Sequence, residues 1–228
     1  MNPSIEERVL ARTDEVLALD KPAGLPSTGR SLDDPDCVQF HVHRYLGKMA
    51  WALHQLDQHT SGVLLFALKK SAVAAWQDRW PRVEKRYLAM VHGAVDGDRV
   101  IDVPIAPIDG PGPRRVRVSD GSDGSDGKAA STELRVLSVA GPYSLVECLL
   151  QTGRTHQIRV HLEAIGHPLM GETVYTDIPC GHHPRPALHA HSVSTDQPPP
   201  LAEILAPLPA DIRLLMERLG LSLPGEPS

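Results

Sequence analysis

One carboxylate stands out by its setting. His54-Gln55-Leu56-Asp57-Gln58-His59-Thr60-Ser61-Gly62 puts Asp57 on a loop immediately before the apolar run Gly62–Leu68. An acid at the end of a rigid strand can act as a nucleophile or general base without a second acid. A plain turn fits the same residues, with Asp57 bonding backbone N–H groups and Gly62 relieving crowding. A second segment, Gln151-Thr152-Gly153-Arg154-Thr155-His156-Gln157-Ile158-Arg159, runs from a strand through a glycine turn into a helix. Its helix start offers backbone N–H groups to an anion, with Arg154 beside them. Arg159 lies one turn in; facing a sheet, it needs an acid to offset burial, and facing water it is an ordinary surface arginine. In Lys85-Arg86-Tyr87 a strand puts Tyr87 on the face of Lys85 and Ala89, where a core tyrosine with a bonded hydroxyl also fits.

Other chemistries lack a pattern. Cys37 precedes His41 and His43, and Cys180, His182 and His183 share a loop ahead of His189 and His191, but no paired CxxC and no HExxH occurs. No G-x-S-x-G elbow supports a serine hydrolase. No phosphate-binding or dinucleotide glycine loop is present. No metal and no cofactor is expected.

The 228 residues carry a net charge of −5, which by itself disfavours non-specific nucleic-acid binding. The charge is uneven. Residues 69–86 hold six basic and two acidic groups, Arg114, Arg115 and Arg117 form a second basic cluster, and Arg154 and Arg159 a third. Aromatic residues are 4% of the chain, too few for a base-stacking platform, so any nucleic-acid contact would rest on Arg, Lys and backbone. No apolar run approaches the ~18 residues of a membrane span. The charged N-terminus lacks a signal-peptide core, and three widely spaced cysteines suit a reducing cytoplasm.

The elements that must position these residues follow from periodicity. Strands are predicted at 16–19, 62–68, 85–92, 99–105, 114–118, 132–139, 145–150 and 187–193, and helices at 70–80, 155–165 and 210–219. Many strands, few helices and no βαβα rhythm predict an α+β fold with a mostly antiparallel or mixed sheet flanked by helices. Loops are expected at Ser119–Gly127 (SDGSDGSDG), at 177–186 and in the proline-rich stretch from Asp196.

In this order the segments resemble the RluA-type RNA pseudouridine synthase family. The resemblance runs through LDKPAGLP at 19–26, HQLDQHTSG at 54–62, KRYLAMVHG at 85–93, GKAASTELRVL at 127–137, LLQTGRTHQIRVHL at 149–162, IGHPLMGETVY at 165–175 and ALHAHSV at 187–193. It implies one catalytic domain over about residues 14–217, with an extension at 1–13, a tail at 218–228 and no S4 domain. It implies isomerisation of uridine to pseudouridine in structured tRNA or rRNA, without cofactor or metal and with no obligate protein partner. Asp57 corresponds to the family's catalytic aspartate, Tyr87 to the tyrosine on the uracil and Arg159 to the arginine that pairs with the aspartate. Around them His54, Gln55, Thr60, Gly62, Lys85, Arg86, Arg114, Arg115, Arg154, Thr155, His156 and Gln157 are expected to bind RNA. One departure is Gln55, where the family's loop usually has arginine. It motivates an alternative, a non-catalytic RNA-binding or RNA-folding module; a small hydrolase is a weaker third reading.

Overall fold

The computed structural model describes residues 4–111, 114–119, 121, 127–178, 183–196 and 203–225. The elements in chain order are β1 (Val9–Arg12), β2 (Val16–Lys21), α1 (Val38–Leu46), β3 (Trp51–Ala52), β4 (Ser61–Ala67), α2 (Lys70–Arg79), β5 (Glu84–His92), β6 (Arg99–Asp102), β7 (Ile105–Ile108), β8 (Arg115–Val118), β9 (Ser131–Ala140), β10 (Tyr143–Leu150), α3 (Gln157–Ala164), β11 (Leu188–Ser194), β12 (Ile204–Leu205) and α4 (Ala210–Leu219). The chain divides into two compact units, one of Met1–Lys85 with His189–Leu208, the other of Arg86–Leu188 with Pro209–Ser228.

The first unit is built on β4, whose seven residues are all buried, as its unbroken apolar run predicts. β4 pairs antiparallel with β2 and β3 and parallel with β11, and β12 extends β11 antiparallel, so the sheet is mixed. On one face Val16, Ala18, Val63, Leu65 and Ala67 pack with Ala72 and Trp76 of α2. The alternate residues Leu17, Leu19, Leu64 and Phe66 are equally buried on the other face. Gly62 is required by the β4–β11 pairing: its φ is +113°, and a Cβ there would lie 2.1 Å from the Ala190 carbonyl oxygen.

The second unit is an antiparallel meander in the order β5-β10-β9-β6, with Tyr87 opposite Cys148 and Cys148 opposite Leu134. The strand expected at 99–105 is two. Pro104, without an N–H, breaks it: β6 stays in the meander, while β7 leaves to form a hairpin with β8. One face of that hairpin, Ile105 and Val116, packs with Ala130 and with Val160 of α3. α3 starts two residues later than its sequence stripe suggests, because His156 is left-handed at φ +52°. α1 was not expected; Cys37 caps it by accepting the Phe40 N–H, and Gly47 ends it in the left-handed region. β1, β3 and β12 were also not expected; they are short edge strands. Most of the SDG run, residues 179–182 and residues 197–202 lie outside the described residues.

Candidate active site

In the first unit the loop that carries Asp57 is bound to the loop after β2. Lys21 has no exposed surface, and its ammonium donates to the carbonyls of Pro22 at 2.9 Å, Leu25 at 2.6 Å and Gln58 at 3.0 Å. Those three bonds use the three N–H donors of a lysine, which is what lets its charge be buried. The Gly24 N–H donates to the Gln58 carbonyl at 2.8 Å, and the Gln58 amide donates back to the Gly24 carbonyl at 2.9 Å. Ser27 Oγ accepts the Leu56 N–H at 2.9 Å and donates to the Leu56 carbonyl at 3.0 Å. Thr60 closes the turn by donating its N–H to the Asp57 carbonyl at 3.0 Å. Asp57, half-buried, therefore sits on a turn whose backbone is tied on both sides.

Next to this turn, three side chains stack. His54 lies on Trp80 with centroids 4.7 Å apart, and the Lys85 ammonium is 5.3 Å from the same ring. His54 Nε2 accepts the Leu65 N–H at 3.1 Å, a bond that only an unprotonated nitrogen can make. Burial, and then the charge of Lys85, push the imidazole down to about 3. Burial also lowers Lys85 below the ordinary lysine range. His54 is thus a neutral brace between the aspartate loop and β4.

In the second unit the chemistry-bearing residues are Tyr87 and Arg159. Tyr87 is 8% exposed in mid-β5. Arg159 is 7% exposed, and its acid partner is Glu172: Nε and Nη2 donate to the two carboxylate oxygens at 2.8 Å each. Glu172 Oε1 also accepts the N–H groups of Thr173 and Val174. Burial raises the Glu172 carboxyl, but Arg159 and those two N–H groups outweigh it and hold the group below its usual range. The guanidinium lies 4.9 Å from the centroid of Tyr175. The Tyr175 hydroxyl bonds His156 Nδ1 and accepts the Val116 N–H at 3.4 Å.

Several residues expected to contact RNA have partners within the fold. Gln157, 2% exposed, bonds through both ends of its amide: Oε1 accepts from Thr152 Oγ1 and the Arg154 N–H, and Nε2 donates to the Ser131 carbonyl and Thr132 Oγ1. It buckles the turn into α3, and it takes up the Arg154 N–H that precedes the helix start. Thr60 is buried in its turn. Gly62 makes room for the Ala190 carbonyl. Arg86, on the strand face opposite Tyr87, pairs with Glu147 at 3.1 Å. A cleft of about 340 Å³ on that opposite face is lined by Arg86, Arg99, Arg135, Asp98, Glu133 and Glu147, whose charges offset one another. Gln55 is exposed and donates to Thr28 Oγ1 at 3.3 Å. Arg114 and Arg115 are exposed on the hairpin. Arg154 is exposed, with its Nε on the Ala129 carbonyl at 2.9 Å, and Thr155 is half-buried. Lys21, Ser27, Glu172 and Tyr175 were not singled out from sequence. Among the described residues no group of His, Cys, Asp or Glu could hold a metal ion, and no helix is long and apolar enough to cross a membrane.

Residues 15–164 match the family described as RNA pseudouridylate synthase. Ribosomal large subunit pseudouridine synthase D of Nitrosomonas europaea is 34% identical over 235 residues, covering 95% of this chain and 66% of that protein. Its namesake in Zymomonas mobilis is 31% identical over 241 residues, covering 94% of this chain and 73% of that protein. Among solved structures, human RNA pseudouridylate synthase domain containing 1 aligns with a TM-score of 0.76 at 26% identity, covering all of both chains. Human RNA pseudouridylate synthase domain containing 4 aligns with a TM-score of 0.79 over 97% of this chain and 96% of that one; at 23% identity it speaks for the fold alone.

Proposed function

Because the chain belongs to the RNA pseudouridylate synthase family, we propose that it isomerises uridine to pseudouridine in RNA, with Asp57 as the carboxylate that acts on the nucleotide. The reaction balances without a cofactor: the N1–C1′ bond breaks, a C5–C1′ bond forms, the C5 proton leaves and N1 takes one up. In this reading Tyr87 is assigned to the uracil, and Arg159 is assigned the role of the cation that the family pairs with its aspartate to keep it ionised. The observation that carries this reading is that the family match, residues 15–164, encloses all three residues. Each stands on braced structure: Asp57 on the loop tied to Lys21 and Ser27, Tyr87 in a paired strand, Arg159 locked on Glu172.

The target uridine must leave its stack to reach a carboxylate held this rigidly, at a cost of a few kcal/mol. Arg114, Arg115 and Arg154, all exposed, are the candidates to grip phosphates while it does so. Between tRNA and rRNA, the names of the Nitrosomonas and Zymomonas relatives favour large-subunit rRNA, and the cytoplasm is where that RNA would be met. Unmodified large-subunit rRNA, transcribed in vitro and incubated with the protein, tests this. Carbodiimide labelling of pseudouridine, read by reverse transcription, should give protein-dependent stops. Binding without any stop, on this RNA and on unmodified tRNA, would leave the non-catalytic RNA-binding reading in its place.

A further inference from the structure

We propose that Tyr175 is the positioning residue that ties Arg159 to the arginine-bearing hairpin β7–β8, so that RNA gripped by the hairpin steadies the Arg159 guanidinium. This rests on the isomerase reading above and adds to it a coupling between grip and chemistry.

A guanidinium is a planar fork, and two contacts at right angles are enough to fix it. Glu172 fixes Arg159 within its plane, through the paired 2.8 Å bonds. The Tyr175 ring, 4.9 Å from the guanidinium carbon, fixes it face-on. Glu172 is held locally: two following N–H groups bond its Oε1, and Gly171 before it has φ +75°, with space for a Cβ blocked by the Arg185 carbonyl oxygen at 2.1 Å. Tyr175 is held from farther away. Its hydroxyl accepts from the Val116 N–H, and Val116 is the buried residue of β8 between Arg115 and Arg117.

The other hydroxyl partner is His156 Nδ1. Among the described residues His156 is the one non-glycine residue with positive φ, at +52°. A side chain in that region is strained, and the strain persists only where surrounding contacts hold it. Here it aims the ring at Tyr175 from the residue that starts α3, three positions before Arg159. The hydroxyl of Tyr175 thus joins the hairpin backbone to the start of the helix that bears Arg159, while its ring covers the guanidinium itself.

The test is a single-turnover assay with protein in excess over a large-subunit rRNA transcript carrying uridine tritiated at C5. It yields a maximal rate and a half-saturating protein concentration. Tyr175→Phe keeps the ring face and removes the hydroxyl; Tyr175→Leu removes both. The maximal rate should fall about tenfold and about 100-fold respectively, the scale of a misplacement of roughly 1 Å or less, with half-saturation within about twofold. His156→Gly, which tolerates the positive φ but lacks the ring, should match Tyr175→Phe; thermal melting checks that each variant is folded. Arg114→Ala with Arg115→Ala should raise half-saturation and lower the maximal rate in wild type, but raise only half-saturation in Tyr175→Phe. Unchanged maximal rates in Tyr175→Phe and His156→Gly, or losses that multiply on combination, overturn the coupling while leaving the isomerase reading intact. A wild type that releases no tritium from this transcript or from tRNA overturns both.

Discussion

The Asp57 loop and the Arg159 helix hold their charged groups by different means. Around Asp57 most of the bonds run through the main chain: carbonyls of Pro22, Leu25 and Gln58 on the Lys21 ammonium, and N–H groups of Gly24, Leu56, Thr60 and Leu65 on neighbouring oxygens or on His54. Around Arg159 they run through a buried pair of opposite charges, Arg159 and Glu172. A web of neutral acceptors loses strength bond by bond. A buried ion pair fails at once, because the survivor keeps its charge without its partner.

The largest effect should follow from breaking the pair. Arg159→Ala or Glu172→Ala should each lower unfolding stability by about 3–5 kcal/mol, measured by urea denaturation. Arg159→Leu with Glu172→Leu should recover much of that stability and make no product. A double variant as unstable as the singles would show that the charge pair is not what holds α3. In the other half, Lys21→Met keeps most of the volume and removes the three donated bonds. A loss of about 2–3 kcal/mol is expected, with turnover down by more than about tenfold as the Asp57 turn loosens. Normal turnover in a destabilised Lys21→Met would mean that the loop does not need this anchor.

Acid should separate the halves. The folded chain keeps His54 neutral down to about 3, whereas an unfolded histidine takes up its proton near 6.5. The unfolded state therefore binds more protons in that window, and stability falls as pH drops from about 6.5 towards about 3. Glu172 is shifted below its ordinary range, so its contribution is full above about 4.3 and fades only at lower pH. Melting temperatures of His54→Phe should accordingly fall less steeply than wild type between pH 6.5 and 4.5. His161, also lowered by burial, contributes the same sign in the second unit and is present in both proteins, so the difference isolates His54. Equal slopes would refute the neutral brace. The smallest effect belongs to Gln55, which is exposed with one bond to Thr28. Gln55→Arg should change stability by no more than about 0.5 kcal/mol, yet tighten RNA binding and steepen its salt dependence by up to about one counterion.

How much of this was legible in the sequence differs by feature. β4 could be read because seven consecutive buried residues leave an unbroken apolar run, and α2 and α4 because their buried residues recur at helical spacing. α1 could not: its buried Val38 and Val42 stand among Phe40, His41, His43 and Tyr45, so no apolar stripe separates from the polar face. Asp57, Tyr87 and Arg159 came from residue type, setting and family resemblance. The need for an acid near Arg159 could be stated, but Glu172 lies 13 residues further on in a loop, where no periodicity points back. Lys21 reads as an ordinary surface lysine before a proline turn until three carbonyls are found around it. Gln157 misled for the opposite reason: a polar residue next to arginines reads as solvent-facing, and its amide instead satisfies groups from the turn and β9.

The most direct test of the account is release of tritium from C5-labelled uridine in unmodified large-subunit rRNA, comparing wild type with Asp57→Asn at matched RNA occupancy. Wild type should release label, and Asp57→Asn should be slower by on the order of 1,000-fold or more, with melting temperature and RNA affinity close to wild type. Release by a cleanly purified Asp57→Asn protein at a rate near wild type would contradict the role of this carboxylate.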